Sequence, residues 1–111
     1  MVPFAGYEMP VQFEGILAEH QHARSHAVLF DVSHMGQARL RGGDPGAALE
    51  TLVPGAIADL PEGKMRYTLL LNERGGVIDD LMVTQRGDHL FLVVNAACKE
   101  GDFAHIGKSL A

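Results

Sequence analysis

One cysteine in 111 residues, Cys98, excludes an intrachain disulfide and any metal site built on cysteines. Cations are also scarce. Nine Lys and Arg stand against fourteen Asp and Glu, for a net charge of −5 with the six histidines neutral. Nucleic-acid binders and proteins of anionic membranes need a cationic face, so both classes are disfavoured. No apolar run approaches the ~20 residues of a membrane span. The opening MVPFAGYEMP has neither a basic segment nor a continuous apolar stretch, and prolines interrupt it. Walker loops, GxGxxG, GxSxG and HExxH are all absent. These absences leave a soluble protein of a reducing compartment, acting on small ligands or protein partners.

The patterning that is present predicts an α+β domain. Residues 1–12 read as irregular, broken by Pro3, Gly6 and Pro10. A helix is expected over 13–28, with Ile16, His20, Ala23 and Ala27 on one stripe. QARLRG reads as a strand, with Ala38 and Leu40 facing away from Gln37 and Arg39. In the next helix Asp44 caps, Pro45 occupies the first turn, and Leu49, Leu52 and Val53 form the apolar stripe. Three apolar runs over 64–95, separated by NERGG and RGD, predict an antiparallel meander. Phe103, Ile106 and Leu110 then mark a final helix. RGD itself reads as a hairpin turn. There is no internal repeat.

The meander holds the oddest feature. GGVIDDLMV keeps Asp79 and Asp80 inside an apolar run, although aspartate suits strand interiors poorly. Successive strand residues point to opposite faces, so a paired acid/base dyad is not expected unless a bulge intervenes. Either both lie on a solvated face near the turn, or one is exposed or salt-bridged and the other faces an apolar pocket. A carboxylate on an apolar wall can hold a proton and stabilise a developing cation on a weakly basic nitrogen. Other residues also carry two readings. Asn95 either ends its strand as a cap or reads a heterocycle edge with its amide. Tyr67 is either a core residue or a stacking surface for a planar ligand. In FDVSHMG, Asp31 and Ser33 shape a turn, and His34 is either a general base or a structural histidine. His20, His22 and His26 lack metal-ligand spacing. Cys98 reads as a small buried apolar residue.

Four stretches taken together go further. MVPFAGYEMPVQF, LFDVSHMG, LLLNERGGVIDDLMV and LVVNAA, in this order and spacing, closely resemble the amino-terminal part of the aminomethyltransferase family, the T-protein of the glycine cleavage system. The resemblance runs over nearly the whole chain. It implies an α+β, ferredoxin-like antiparallel sheet with helices, within a folate-binding fold. Residues 36–111 would form the partial ferredoxin-like subdomain, and residues 1–35 would belong to the neighbouring one. It implies tetrahydrofolate as cofactor and the lipoylated H-protein as partner, with an aminomethyl carbon passed to folate and ammonia released. The second aspartate of VIDD, Asp80, matches the family's key acidic residue, and Met35, Tyr67, Asp80 and Asn95 match folate-pocket positions. No metal, nucleic acid or membrane is implied. The location would be cytoplasmic, or the mitochondrial matrix in a eukaryote.

Two residues depart from the family pattern. Tyr7 stands where the family commonly has tryptophan, and Thr84 where glycine cleavage members often have tyrosine. The family is also several hundred residues long, with a pocket built from three domains. Residues 1–111 alone are therefore expected to be inactive, with exposed apolar surface that favours self-association. Two alternatives stay open: a partner-dependent folate-binding or structural module, and a related folate-dependent demethylase of methylated amines.

Overall fold

In the computed structural model, which describes residues 1–111, the chain forms two compact units, Met1–His34 and Met35–Ala111.

The first unit opens with β1 (Val2–Phe4) and β2 (Tyr7–Met9), an antiparallel hairpin where irregular chain was expected. Its turn is Ala5–Gly6, both with positive φ, 49° and 85°. That is the geometry of a two-residue loop whose twist matches the strands, and glycine is what makes it accessible. Pro3 fits because a two-stranded ribbon has an outer edge that needs no donor. The helix α1 (Ile16–Ser25) is shorter than the sequence suggested. The Glu19 carboxylate accepts from the backbone N–H of Phe13 and Glu14, at 2.6 and 2.8 Å, and so holds the entry to the helix. Those amides keep its carboxyl below the usual range. No residue of this unit is buried. Thirty-odd residues cannot enclose a core of their own.

The second unit runs β3 (Gly36–Leu40), α2 (Pro45–Leu49), β4 (Met65–Leu71), β5 (Val77–Gln85), β6 (Leu90–Val94), a tight turn at Ala96–Cys98, and α3 (Lys99–Leu110). The four strands form one antiparallel sheet in the order β3-β6-β5-β4. This is the α+β arrangement of antiparallel sheet and helices that the sequence implied. Asp44 caps α2, its Oδ1 accepting from Ala47 N at 3.0 Å, as its place before Pro45 predicted. Alternation along each strand divides the sheet into two faces. Leu70, Leu81, Val83, Leu90, Leu92 and Val94 pack with Leu49, Val53, Ile57 and Ile106 into the core. Both helices thus cover one face. The other face carries Tyr67, Met82, Phe91 and Val93 and neither of these two helices.

The α3 helix lies directly on the β3 backbone. A Cβ at Gly36 would stand 2.6 Å from both Lys99 Cβ and Val94 Cγ2, and 3.0 Å from Phe103 Cζ. At the helix's other side, His105 Nε2 donates to the Leu71 carbonyl at 3.1 Å. The first turn of α3 is thereby fixed against the end of the sheet. Gly36→Ala forces this contact apart and is expected to lower stability by about 1–3 kcal/mol, the usual cost of overpacking. Urea unfolding measures it, and an unchanged midpoint would show that the helix can shift freely.

Candidate functional site

The register decides where each acidic residue points. Leu70 pairs with Asp79 and Leu69 with Asp80, whereas Leu71 pairs with Val77. The pairing slips by one residue at Ile78, a bulge just ahead of the two aspartates. Asp79 falls on the core side and is 9% exposed. Asp80 falls on the open side, half-buried, beside Met82 and across from Leu69. The carboxylate that was expected to be exposed or salt-bridged is neither. Asp79 is buried and hydrogen-bonded.

Asn95 joins the pair. It follows β6 directly, level with Asp80 because Val94 pairs with Leu81. Its Nδ2 donates to Asp79 Oδ1 and to Asp80 Oδ1, both at 2.8 Å, with the Asp80 carbonyl at 3.2 Å. Its backbone N–H lies 3.4 Å from Asp79 Oδ2. Only the amide nitrogen can face two carboxylates, so the chemistry fixes the orientation of the side chain. Both N–H groups are committed, and what Asn95 can offer a ligand is its carbonyl oxygen. Burial raises the pKa of Asp79, but hydrogen bonds from Asp102, Asn95 and the neighbouring backbone outweigh it and hold its carboxyl below the usual range.

The other expected site residues gather near this pair. Tyr67 sits opposite Met82 on the open face, one strand pleat from Leu69 and 60% exposed. It is therefore not a core tyrosine. Gly36 pairs with Val94, so Met35, one residue ahead of β3, stands level with Asn95. An open groove of about 520 Å³ continues along the same face, walled by Met65, Met82, Phe91 and Val93, with Arg39 and Arg86 among its polar lining. Met82 and Val93 connect the groove to Asp80 and Asn95, each lying two residues along its strand. A larger hollow of about 770 Å³ on the first unit, against α1, carries none of these residues. Elsewhere His34 is half-buried and packs edge-on to the rings of Phe4 and Tyr7, 5.5 and 6.5 Å between centroids. Ser33 N donates to Asp31 Oδ1 at 2.9 Å, which closes the predicted turn. Cys98, expected to be buried, is exposed.

One buried acidic residue beside the site was not foreseen from the sequence. Asp102, in the first turn of α3, is 1% exposed and lies against Asp79. The signal was available: Asp102 is four residues before Ile106 and so shares its buried face.

The sequence profile of the GCVT N-terminal domain matches residues 1–111. The chain belongs to this family. Family members of known name agree. The chain is 47% identical to a mitochondrial aminomethyltransferase of Dictyostelium discoideum over 111 residues, 99% of the chain and 28% of that protein. It is also 47% identical to an aminomethyltransferase of Synechococcus sp. (strain CC9311), again over 99% of the chain and 32% of that protein. The glycine cleavage system aminomethyltransferase T of Bartonella henselae, a crystal structure, superposes with a TM-score of 0.89 at 41% identity, over 97% of this chain and 30% of that one. The chain thus spans about a third or less of the aminomethyltransferases it matches. Within this GCVT N-terminal domain no helix is long and apolar enough to cross a membrane.

Proposed function

We propose that this chain carries the acidic wall of a tetrahydrofolate-dependent aminomethyltransferase of the glycine cleavage system. The complete protein would take the aminomethyl group from lipoylated H-protein, pass its methylene carbon to tetrahydrofolate and release ammonia. The observation that carries the reading is the bridge Asp79–Asn95–Asp80, which holds one carboxylate on an open, largely apolar face. The residues present suit a reduced pteridine. Asp80 accepts from ring N–H donors, the Asn95 carbonyl offers a second acceptor, and exposed Tyr67 offers a ring face.

Tetrahydrofolate supplies the nucleophilic nitrogens that take up the carbon. Asp80 stabilises the positive character that develops beside it, and a fixed carboxylate in a low-dielectric site does so without reorganising. Asn95 keeps that carboxylate still, and the apolar walls at Met82 and Val93 limit competing water. Met35 and Tyr67 hold the ring system in place. The name of the Dictyostelium relative supports a mitochondrial location in a eukaryote, and the cyanobacterial relatives support the cytoplasm of a bacterium.

Calorimetry and turnover on the full-length protein test the proposal. One tetrahydrofolate per chain should bind, and ammonia release should require both folate and aminomethyl-loaded H-protein. Turnover with dimethylglycine or sarcosine but not with loaded H-protein would move the chain to the demethylases. A second reading is favoured by the openness of the site face: residues 1–111 would bind folate only when a partner chain or the rest of the polypeptide covers that face. Folate binding by residues 1–111 alone, as tight as by the full-length protein, would contradict it.

A further inference from the structure

The buried acid behind the site has no role in the chemistry above. Asp102 is 1% exposed, and neither of its oxygens receives a hydrogen bond from any N–H or O–H donor of the protein. A buried carboxylate in that position would be strongly disfavoured. Lys99 and His105 stand three residues to either side of it on α3, and the charges that act on its carboxyl are acidic. The acidic groups around it are Asp79 and Asp80 on β5, and these same carboxylates, led by Asp79, push the Cys98 thiol pKa up in the turn before α3. Asp102 and Asp79 are in contact, and two touching carboxyls do not both ionise near neutrality. The hydrogen bonds say which one keeps the proton. Asp79 accepts from the Asn95 amide and lies near its backbone N–H, whereas Asp102 accepts from nothing. Burial, then the contact with Asp79 and the charges of Asp79 and Asp80, push the Asp102 pKa up to about 7.

We propose that Asp102 is a positioning residue for the Asp80 site, acting as a neutral carboxylic acid that donates to Asp79 and thereby locks Asp79, Asn95 and Asp80 into one chain of hydrogen bonds. The inference rests on the reading of Asp80 as the folate-facing carboxylate. The proton on Asp102 leaves Asp79 free to spend its negative charge on the Asn95 amide. When Asp102 ionises, two buried anions repel across the contact between α3 and β5, and Asp79 is pushed from the position in which it accepts from the rear N–H of Asn95. Asp80 is then held less firmly, although no atom that touches substrate has changed.

Stability follows the same proton. The folded pKa of Asp102 lies above its unfolded value, so its contribution is fully present below the unfolded pKa and is lost as pH rises through about 7. Asp79 behaves oppositely: its folded pKa is depressed, so its contribution is present above its unfolded value and is lost as pH falls.

Asp102→Asn and Asp102→Leu in the full-length protein, followed by turnover against pH and by thermal unfolding, test the proposal. Asparagine donates to Asp79 as the acid does, so Asp102→Asn should keep turnover within about threefold and lose the inflection near neutrality. Leucine removes a buried acid, so Asp102→Leu should unfold no earlier than wild type at pH 8, while its turnover falls at least roughly tenfold. A merely structural residue would show stability and turnover falling together. Full turnover in Asp102→Leu, or the wild-type inflection persisting in Asp102→Asn, overturns the proposal. If Asp102→Leu does not fold, the pH profile of Asp102→Asn decides. The two readings fail separately. A fully active Asp80→Asn variant removes the reading of Asp80, whereas carboxyl-carbon NMR that finds Asp102 ionised at pH 5 removes the shared proton.

Discussion

Asp80→Asn should lower turnover by roughly 10²- to 10³-fold and weaken tetrahydrofolate binding far less. The substitution is mild in shape. An asparagine carbonyl can still accept from Asn95 Nδ2, so the 2.8 Å contact that holds position 80 survives. What disappears is the negative charge, and its loss matters most where positive charge develops on the way to the transition state. A group that acts mainly there lowers kcat, while KM and the dissociation constant move little. Steady-state kinetics with loaded H-protein and calorimetry with tetrahydrofolate separate the two effects. Equal losses in affinity and turnover would make Asp80 a plain binding residue. Near-normal turnover would remove it from the chemistry.

Asn95 is the second point of large leverage, and here the effect falls on the fold as well as the site. Asn95→Leu keeps the volume but withdraws the only side-chain amide donor to two carboxylates, one of them buried. Removing one partner of a buried charged hydrogen bond strands the other, so a loss of about 3 kcal/mol is expected. Asn95→Asp is the more telling change. It places a further acid among Asp79, Asp80 and Asp102. Its folded pKa would be raised by those neighbours. The variant should therefore be most stable at low pH and lose stability as pH rises toward neutrality. Urea midpoints at about pH 5 and 8 measure this. A variant equally stable at both values would mean that these carboxyls do not sense one another.

Much of this arrangement was legible in the residues, because the determinants are local. Asn72 and Gly75–Gly76 specify the turn between β4 and β5, with Asn72 Oδ1 accepting from Arg74 N and Gly76 N at 2.9 Å. Asp44 and Pro45 specify the start of α2. Strict alternation assigns Leu81 and Val83 to the core and Asp80 and Met82 to the other face. The amino-terminal hairpin was hidden because strands of three residues are too short to show a period, and prolines there signal irregular chain. The hydrogen-bonded burial of Asp79 was hidden for a different reason. Its partners, Asn95 and Asp102, lie 16 and 23 positions away and meet it only after β6 and α3 have packed. The folate-site assignments came from resemblance. The residues alone allowed a solvated aspartate at position 80 equally well.

The central claim is that the Asp80 carboxylate, steadied by Asn95, faces the reduced pteridine ring. A crystal structure of the full-length protein with tetrahydrofolate bound tests it most directly. The account predicts a ring N–H within about 3 Å of an Asp80 oxygen, with the Asn95 amide still bridging Asp79 and Asp80. A pteridine bound elsewhere, with Asp80 turned to solvent, would contradict it.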